Sequence, residues 1–252
     1  MRYLRLAFLF SIALATTGCF QMSTTIKVAD DGSGTIEQRQ FITAAGLAQL
    51  GQVRMGGRTF DPLSEESARS AASRLGEGVT YVSSTPIVDG TGQGRAITYS
   101  FTDINRVHIG FDAPVAGLAP GQSGPGVTCA MTTLDNGHAL LRITVPQPLL
   151  AEGGSAIPPT DQIAMARSFL TGARISIALE PAGTVVRASS PFVDGNRVTL
   201  LEIDFDQLLK DDVLTRIRAA KTADDVKAVV ATVPGLKLNL EPEITVEFAP
   251  AK

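Results

Sequence analysis

An α+β domain, a mostly antiparallel β-sheet built from hairpins with several helices packed on one face, is the fold class this sequence predicts. Three observations predict it. Apolar residues alternate with polar ones over many short stretches. Asn-Gly and Asp-Gly dipeptides stand between such stretches. Helical patterning interrupts the strands in a few places instead of following each one, which separates this class from βαβ folds.

The alternation is clearest at Ile97, Tyr99, Phe101; Leu141, Ile143, Val145; Ile175, Ile177, Leu179; Leu201, Ile203, Phe205; Leu236, Leu238, Leu240; and Ile244, Val246, Phe248. A period of two places those residues on one buried face of a strand. Asn136-Gly137 and Asp194-Gly195 supply the positive φ of tight hairpin turns, so the neighbouring strands are antiparallel. Ser64 to Leu75 predicts a helix, with a serine cap, two glutamates in the first turn and Gly76 as its stop. Thr160 to Leu170 predicts a second, after Pro158-Pro159 and before Gly172. Asp206 to Ala219 predicts a third through Leu209, Val213 and Ile217, and Thr222 with Asp225 resembles a capping pair for a fourth, ended by Pro234-Gly235. Ala113 to Gly126 and Pro146 to Pro159 have loop composition and are candidate rims of a binding site. The hairpin between them, residues 127–145, is either an excursion from the main sheet or part of a lobe boundary.

The N-terminus carries Arg2 and Arg5, an apolar run from Leu6 to Ala15, and Thr16-Thr17-Gly18-Cys19. A short positive region, a short apolar core and a small-residue site make a secretory signal peptide over residues 1–18, and the apolar run falls short of the ~20 residues a spanning helix needs. The site resembles the lipobox of bacterial lipoproteins, which implies a diacylglycerol on Cys19 as the mature N-terminus; Thr16 departs from the usual leucine. Residues 19–24 then form a lipidated tether, and 25–252 the extracytoplasmic domain. Two or more acyl chains, at about 0.8 kcal/mol per buried CH₂, anchor a protein stably. Membrane attachment through that lipid is the partnership expected. Phe20 and Gln21 follow Cys19, with no aspartate, and if the organism is Gram-negative the resemblance to sorted lipoproteins implies the outer membrane.

Removing residues 1–18 takes Arg2 and Arg5 from 22 basic residues and leaves all 25 acidic ones, a net charge of −5 that argues against nucleic acid. The only other cysteine, Cys129, lies in the strand-like Val127 to Met131 and is expected to be a buried, inert thiol. There is no Trp and no internal repeat.

Ala29-Asp30-Asp31-Gly32-Ser33-Gly34 to Gln40 has the outline of a calcium loop, with Asp31 and Ser33 as ligands. Ala29 and Gln40 occupy the positions of the first aspartate and the bidentate glutamate, and a β-branched run precedes the loop where a helix belongs. The stretch therefore predicts a hairpin turn. That opening, with Tyr99 to Asn105, Gly172 to Ile177, Pro181 to Val186 and the Asp194-Gly195-Asn196 turn, resembles uncharacterised bacterial envelope lipoproteins that include those with an LppM-type domain. The resemblance implies an α+β fold and binding of envelope lipids; it transfers no active-site residue. Many such relatives have a C-terminal membrane helix, for which Glu243 to Lys252 offers no apolar run.

Catalytic templates fail. There is no His-Glu-x-x-His, no Cys-x-x-Cys, and Pro125 replaces the last glycine of a nucleophile elbow at Gly121. Gly90 to Gly94 leads into a strand, so it lacks the helix N-terminus a phosphate loop needs. His108 and His138 both sit at surface positions of the pattern; a site joining them with Asp103 or Asp135 requires their strands to pair. Asp204, Asp206, Asp211, Asp212, Glu65 and Glu66 suit helix ends. The function expected is a non-enzymatic binding or assembly module, without cofactor or metal, whose ligand is an envelope lipid or another envelope protein. The alternative is an extracytoplasmic hydrolase or metal-dependent enzyme using His108 and His138.

Overall fold

A computed structural model describes residues 20–50, 61–110, 126–145, 163, 167 and 170–251. The expected signal segment, Cys19, the two candidate rim loops apart from Gly126, and most of the helix expected over Thr160 to Leu170 lie outside the described residues; Ile163, Arg167 and Leu170 of that helix are helical.

The first strand, β1 (Phe20–Val28), turns through Asp30-Asp31-Gly32-Ser33 into β2 (Gly34–Thr43). Asp31 Oδ1 accepts hydrogen bonds from the Ser33 amide at 2.9 Å and its hydroxyl at 2.6 Å, and Gly32 has φ +83°. The calcium-like stretch is thus a hairpin turn whose carboxylate serves its own backbone. Helix α1 (Ala44–Leu50) follows, then α2 (Glu65–Ala71), capped by the Ser64 hydroxyl and continued by a 3-10 turn over Ala72–Arg74. Strands β3 (Thr80–Asp89) and β4 (Gly92–Phe101) form the next hairpin. A 3-10 turn at Ile104–Arg106 leads to β5 (His108–Gly110), and β6 (Gly126–Thr133) and β7 (Ala139–Thr144) are joined by the Asn136-Gly137 turn.

The second half comprises β8 (Arg174–Pro181), β9 (Thr184–Ala188), β10 (Val193–Asp194) and β11 (Arg197–Asp204), then α3 (Phe205–Leu208), α4 (Asp211–Ala219), α5 (Ala223–Val230), β12 (Leu236–Leu238) and β13 (Glu243–Ala249). The helix expected from Asp206 to Ala219 is two, because Lys210 is extended and Asp211 and Asp212 start a new turn. The Thr222–Asp225 capping box is formed in both directions.

The strands make two sheets. The larger has the order β10-β11-β8-β1-β2-β4-β3, with β12 also on β11; the smaller has the order β5-β6-β7-β13-β9. All neighbours are antiparallel except β1 and β8, which are parallel from Gln21↔Arg174 to Val28↔Pro181. This corrects the expectation of one sheet covered on one face by several helices. The described helices run only four to nine residues, and a second sheet joins the same apolar cluster. Alternation reveals that a strand has one dry face, but says nothing of what covers it. The hairpin of residues 127–145 is the middle of that second sheet.

The core draws on both sheets: Ile26, Ile36, Tyr99, Ile177 and Leu179 from the larger and Leu141, Ile143, Ile244 and Phe248 from the smaller are no more than 1% exposed. Each such side chain contributes about 1.5–3 kcal/mol by leaving water. The β1–β2 turn binds the two sheets at one end: the Ile104 amide donates to Gly32 O at 2.8 Å, and Asn105 Oδ1 accepts from the Met131 amide at 2.7 Å.

Candidate functional site

With Thr24, Ile26 and Val28 in the core, the intervening residues of β1 face away from it. The register carries that face across the sheet in rows. Phe41, Gln21, Arg174 and Asp204 form one row; Arg39, Ser23, Ser176, Glu202 and Lys237 form the next. These two rows, with Arg197 and Thr199 beyond them, line a groove of about 660 Å³. That is within the usual range for a site that holds a small ligand or one end of a larger one.

Most of the groove's charges are spoken for. Arg174 binds Asp204 at 3.0 Å, Lys237 binds Glu202 at 2.8 Å and Arg197 binds Glu180 at 2.5 Å. Asp204 also caps α3 through the Asp206 and Gln207 amides. Among the described residues Arg39 has no such partner; it is exposed, and the half-buried hydroxyls of Ser23 and Ser176 continue its row. At the ~4.8 Å spacing of strands, the three present donors over roughly 10 Å, beside the apolar ring of Phe41. Such a row suits an oxyanion attached to an apolar group.

The two histidines are not brought together. His108 lies opposite Thr128 near the start of β6, whereas the His138 carbonyl accepts from the Leu134 amide beyond its end. Six residues of strand separate these positions, roughly 20 Å. Asp103 Oδ1 accepts from the Asn105 amide and so caps the 3-10 turn. His138 instead meets Glu247, with Nδ1 2.9 Å from Oε1; Asn136 reaches the same oxygen at 3.4 Å and Arg187 holds Oε2 at 3.1 Å. The His138 hydrogen bond leads in holding the Glu247 carboxyl below the usual glutamate range. Sequence reasoning missed Glu247 because it is 109 residues from His138. Among the described residues no group of three or more His, Cys, Asp and Glu is placed to hold a metal.

Cys129 is 6% exposed, and burial pushes its thiol up to about 12, as an inert core cysteine requires. Glu65 and Glu66 begin α2, Asp211 and Asp212 begin α4, and Asp206 accepts from the Gly172 amide at 2.7 Å, so these carboxylates serve helix ends and a loop. The sequence signal for the groove was the polar half of the alternation in β1, β2 and β8, which gives a face but no site. Among the described residues no helix is long and apolar enough to cross a membrane.

No family model matches the chain, and no curated protein matches its sequence. Among solved structures, the NMR structure of the folded domain of the Mycobacterium tuberculosis LppM protein is similar over 93% of this chain and 91% of that one, at 8% identity and a TM-score of 0.36. The likeness is a distant one in fold and assigns no residue.

Proposed function

We propose that the chain is a lipid-anchored envelope lipoprotein of bacteria, held through Cys19 on the extracytoplasmic side, and that it is a non-enzymatic binding module whose groove takes the anionic headgroup of an envelope lipid. The anchor rests on Arg2, Arg5, the apolar run to Ala15 and the small residues before Cys19. One observation supports the ligand: among the described residues Arg39 has no hydrogen bond or ion pair, only a longer-range attraction to Asp89, in a groove that also offers Ser23, Ser176 and Phe41. A charge-assisted bond from Arg to a phosphate or carboxylate is about twice as strong as a neutral one. If the organism is Gram-negative, Phe20 and Gln21 after Cys19, with no aspartate, favour the outer membrane.

Native mass spectrometry of the protein, mildly extracted from its host, tests the ligand. A co-purifying anionic lipid that is lost from Arg39→Glu is the result expected. An equal lipid load in wild type and variant, or none in either, refutes the assignment. Radiolabelled palmitate tests the anchor separately: incorporation into wild type and not into Cys19→Ser is expected, and its absence from the wild type refutes the anchor. Membrane fractionation decides the location, with recovery in the inner membrane overturning it.

A further inference from the structure

We propose that the end of the large sheet where β1 begins rests on the bilayer, with Phe20, Val88 and helix α1 seated among the lipid headgroups. The inference rests on the lipidation of Cys19 proposed above. Residues 20–24, expected as a tether, are already the first half of β1, with Phe20 paired to Ile42. Consecutive Cα atoms are about 3.8 Å apart, so an acylated Cys19 holds the first rung of the sheet at the membrane surface with no linker to lift it.

The register decides which residues share that height. Phe20 pairs with Ile42, Ile42 with Gln93, and Gln93 with Val88, so four strands end in one row about 14 Å across. Val88, at the far end of the row, is 76% exposed, the largest exposure among the large hydrophobic residues described. Helix α1 leaves the same end, its Ala44 amide donating to Thr91 O at 3.0 Å in the β3–β4 turn. Its sequence AAGLAQL carries no charge, and Ala44, Ala45 and Ala48 are exposed. Asp89, the acid on this half of the end, is tied to the Thr91 amide and hydroxyl and the Gly92 amide, and on the other half Asp204 is paired with Arg174 and Asp206 accepts from the Gly172 amide. Exposed apolar side chains held at an interface by covalent lipid insert shallowly, to the headgroup and acyl boundary, while Asp89 and Gln93 stay at the headgroup level. The opposite end of the sheet is tied to the smaller one through the 3-10 turn, whose Ile104 amide donates to Gly32 O and whose Asn105 Oδ1 accepts from the Met131 amide of β6. The groove's first row, Phe41, Gln21 and Arg174, is one residue from the row at the bilayer, so a headgroup enters it directly from the membrane.

The chain has no Trp, which makes single tryptophans clean depth probes. The lipidated full-length protein carrying Val88→Trp, Ala48→Trp or Val186→Trp is reconstituted in vesicles of brominated phosphatidylcholine and phosphatidylglycerol, and flotation confirms attachment. Val88→Trp and Ala48→Trp are expected to lose most of their emission and shift to the blue. Val186→Trp, on the smaller sheet, is expected to keep its emission. Attached protein with Val88→Trp and Ala48→Trp both unquenched overturns the docking and leaves the anchor standing, as when another protein covers this end. Equal quenching of all three overturns the orientation. Failure of the wild type to float overturns the anchor and the docking with it.

Discussion

Nδ1 of His138 lies 2.9 Å from Oε1 of Glu247, clamping the β6–β7 turn to the centre of β13. The His138 hydrogen bond, then Asn136 and the Arg187 charge, lower the Glu247 pKa. A carboxyl depressed in the folded state contributes stability that is present above its unfolded value of about 4.3 and is lost as pH falls through the lower folded value. Thermal unfolding followed from about pH 6 to 3 should therefore show a steeper loss of Tm in wild type than in Glu247→Gln. Parallel profiles would show that the clamp carries no proton linkage.

Tyr99 is fully buried and its hydroxyl donates to the Ala68 carbonyl at 2.9 Å, fixing α2 to β4. Burial pushes its phenol up to about 12. Tyr99→Phe leaves that carbonyl short of a donor and should cost about 1–2 kcal/mol in urea unfolding, with an unchanged slope. A neutral effect would mean that the bond is replaced by solvent.

Gly34 opens β2 where a Cβ would collide with the Lys27 carbonyl and stand 2.6 Å from the Phe101 ring. Gly137 has open space around it but a φ of +79°. Gly34→Ala should thus lose about 3 kcal/mol or more, against about 1 kcal/mol for Gly137→Ala, since collision with backbone costs more than an unfavourable turn angle. Chemical denaturation of both variants makes the comparison.

Cys129 should resist iodoacetamide in the native protein and react once the chain is unfolded. If Cys19 carries the proposed diacylglyceryl group as a thioether, the denatured protein shows one reactive thiol; two would refute the modification. Intact mass after labelling gives the count.

Much of the architecture was legible as local pattern. The alternations at Ile97 to Phe101, Ile175 to Leu179 and Ile244 to Phe248 are strands, Asn136-Gly137 and Asp194-Gly195 are turns, and the Ser64 and Thr222 caps are made as their spacing implies. Each depends on neighbours within a few residues. The division into two sheets was not legible, because Ile143 and Ile177 have the same pattern whichever sheet receives them. The groove was illegible for the same reason: Arg39, Ser23 and Ser176 become a row only when β1 lies between β2 and β8. Glu247 looked like any polar residue of an alternating strand until the fold set it beside His138.

The parallel pairing of β1 with β8 has a consequence for how the protein is made. After β1 has closed its hairpin with β2, its other edge keeps a bare ladder of amides and carbonyls until Arg174 to Pro181 arrive. A chain emerging N-terminus first presents that sticky edge throughout synthesis of its middle third. The intervening segment must close a long loop before any reward is collected, which makes assembly slow and the nascent chain a natural client for chaperones.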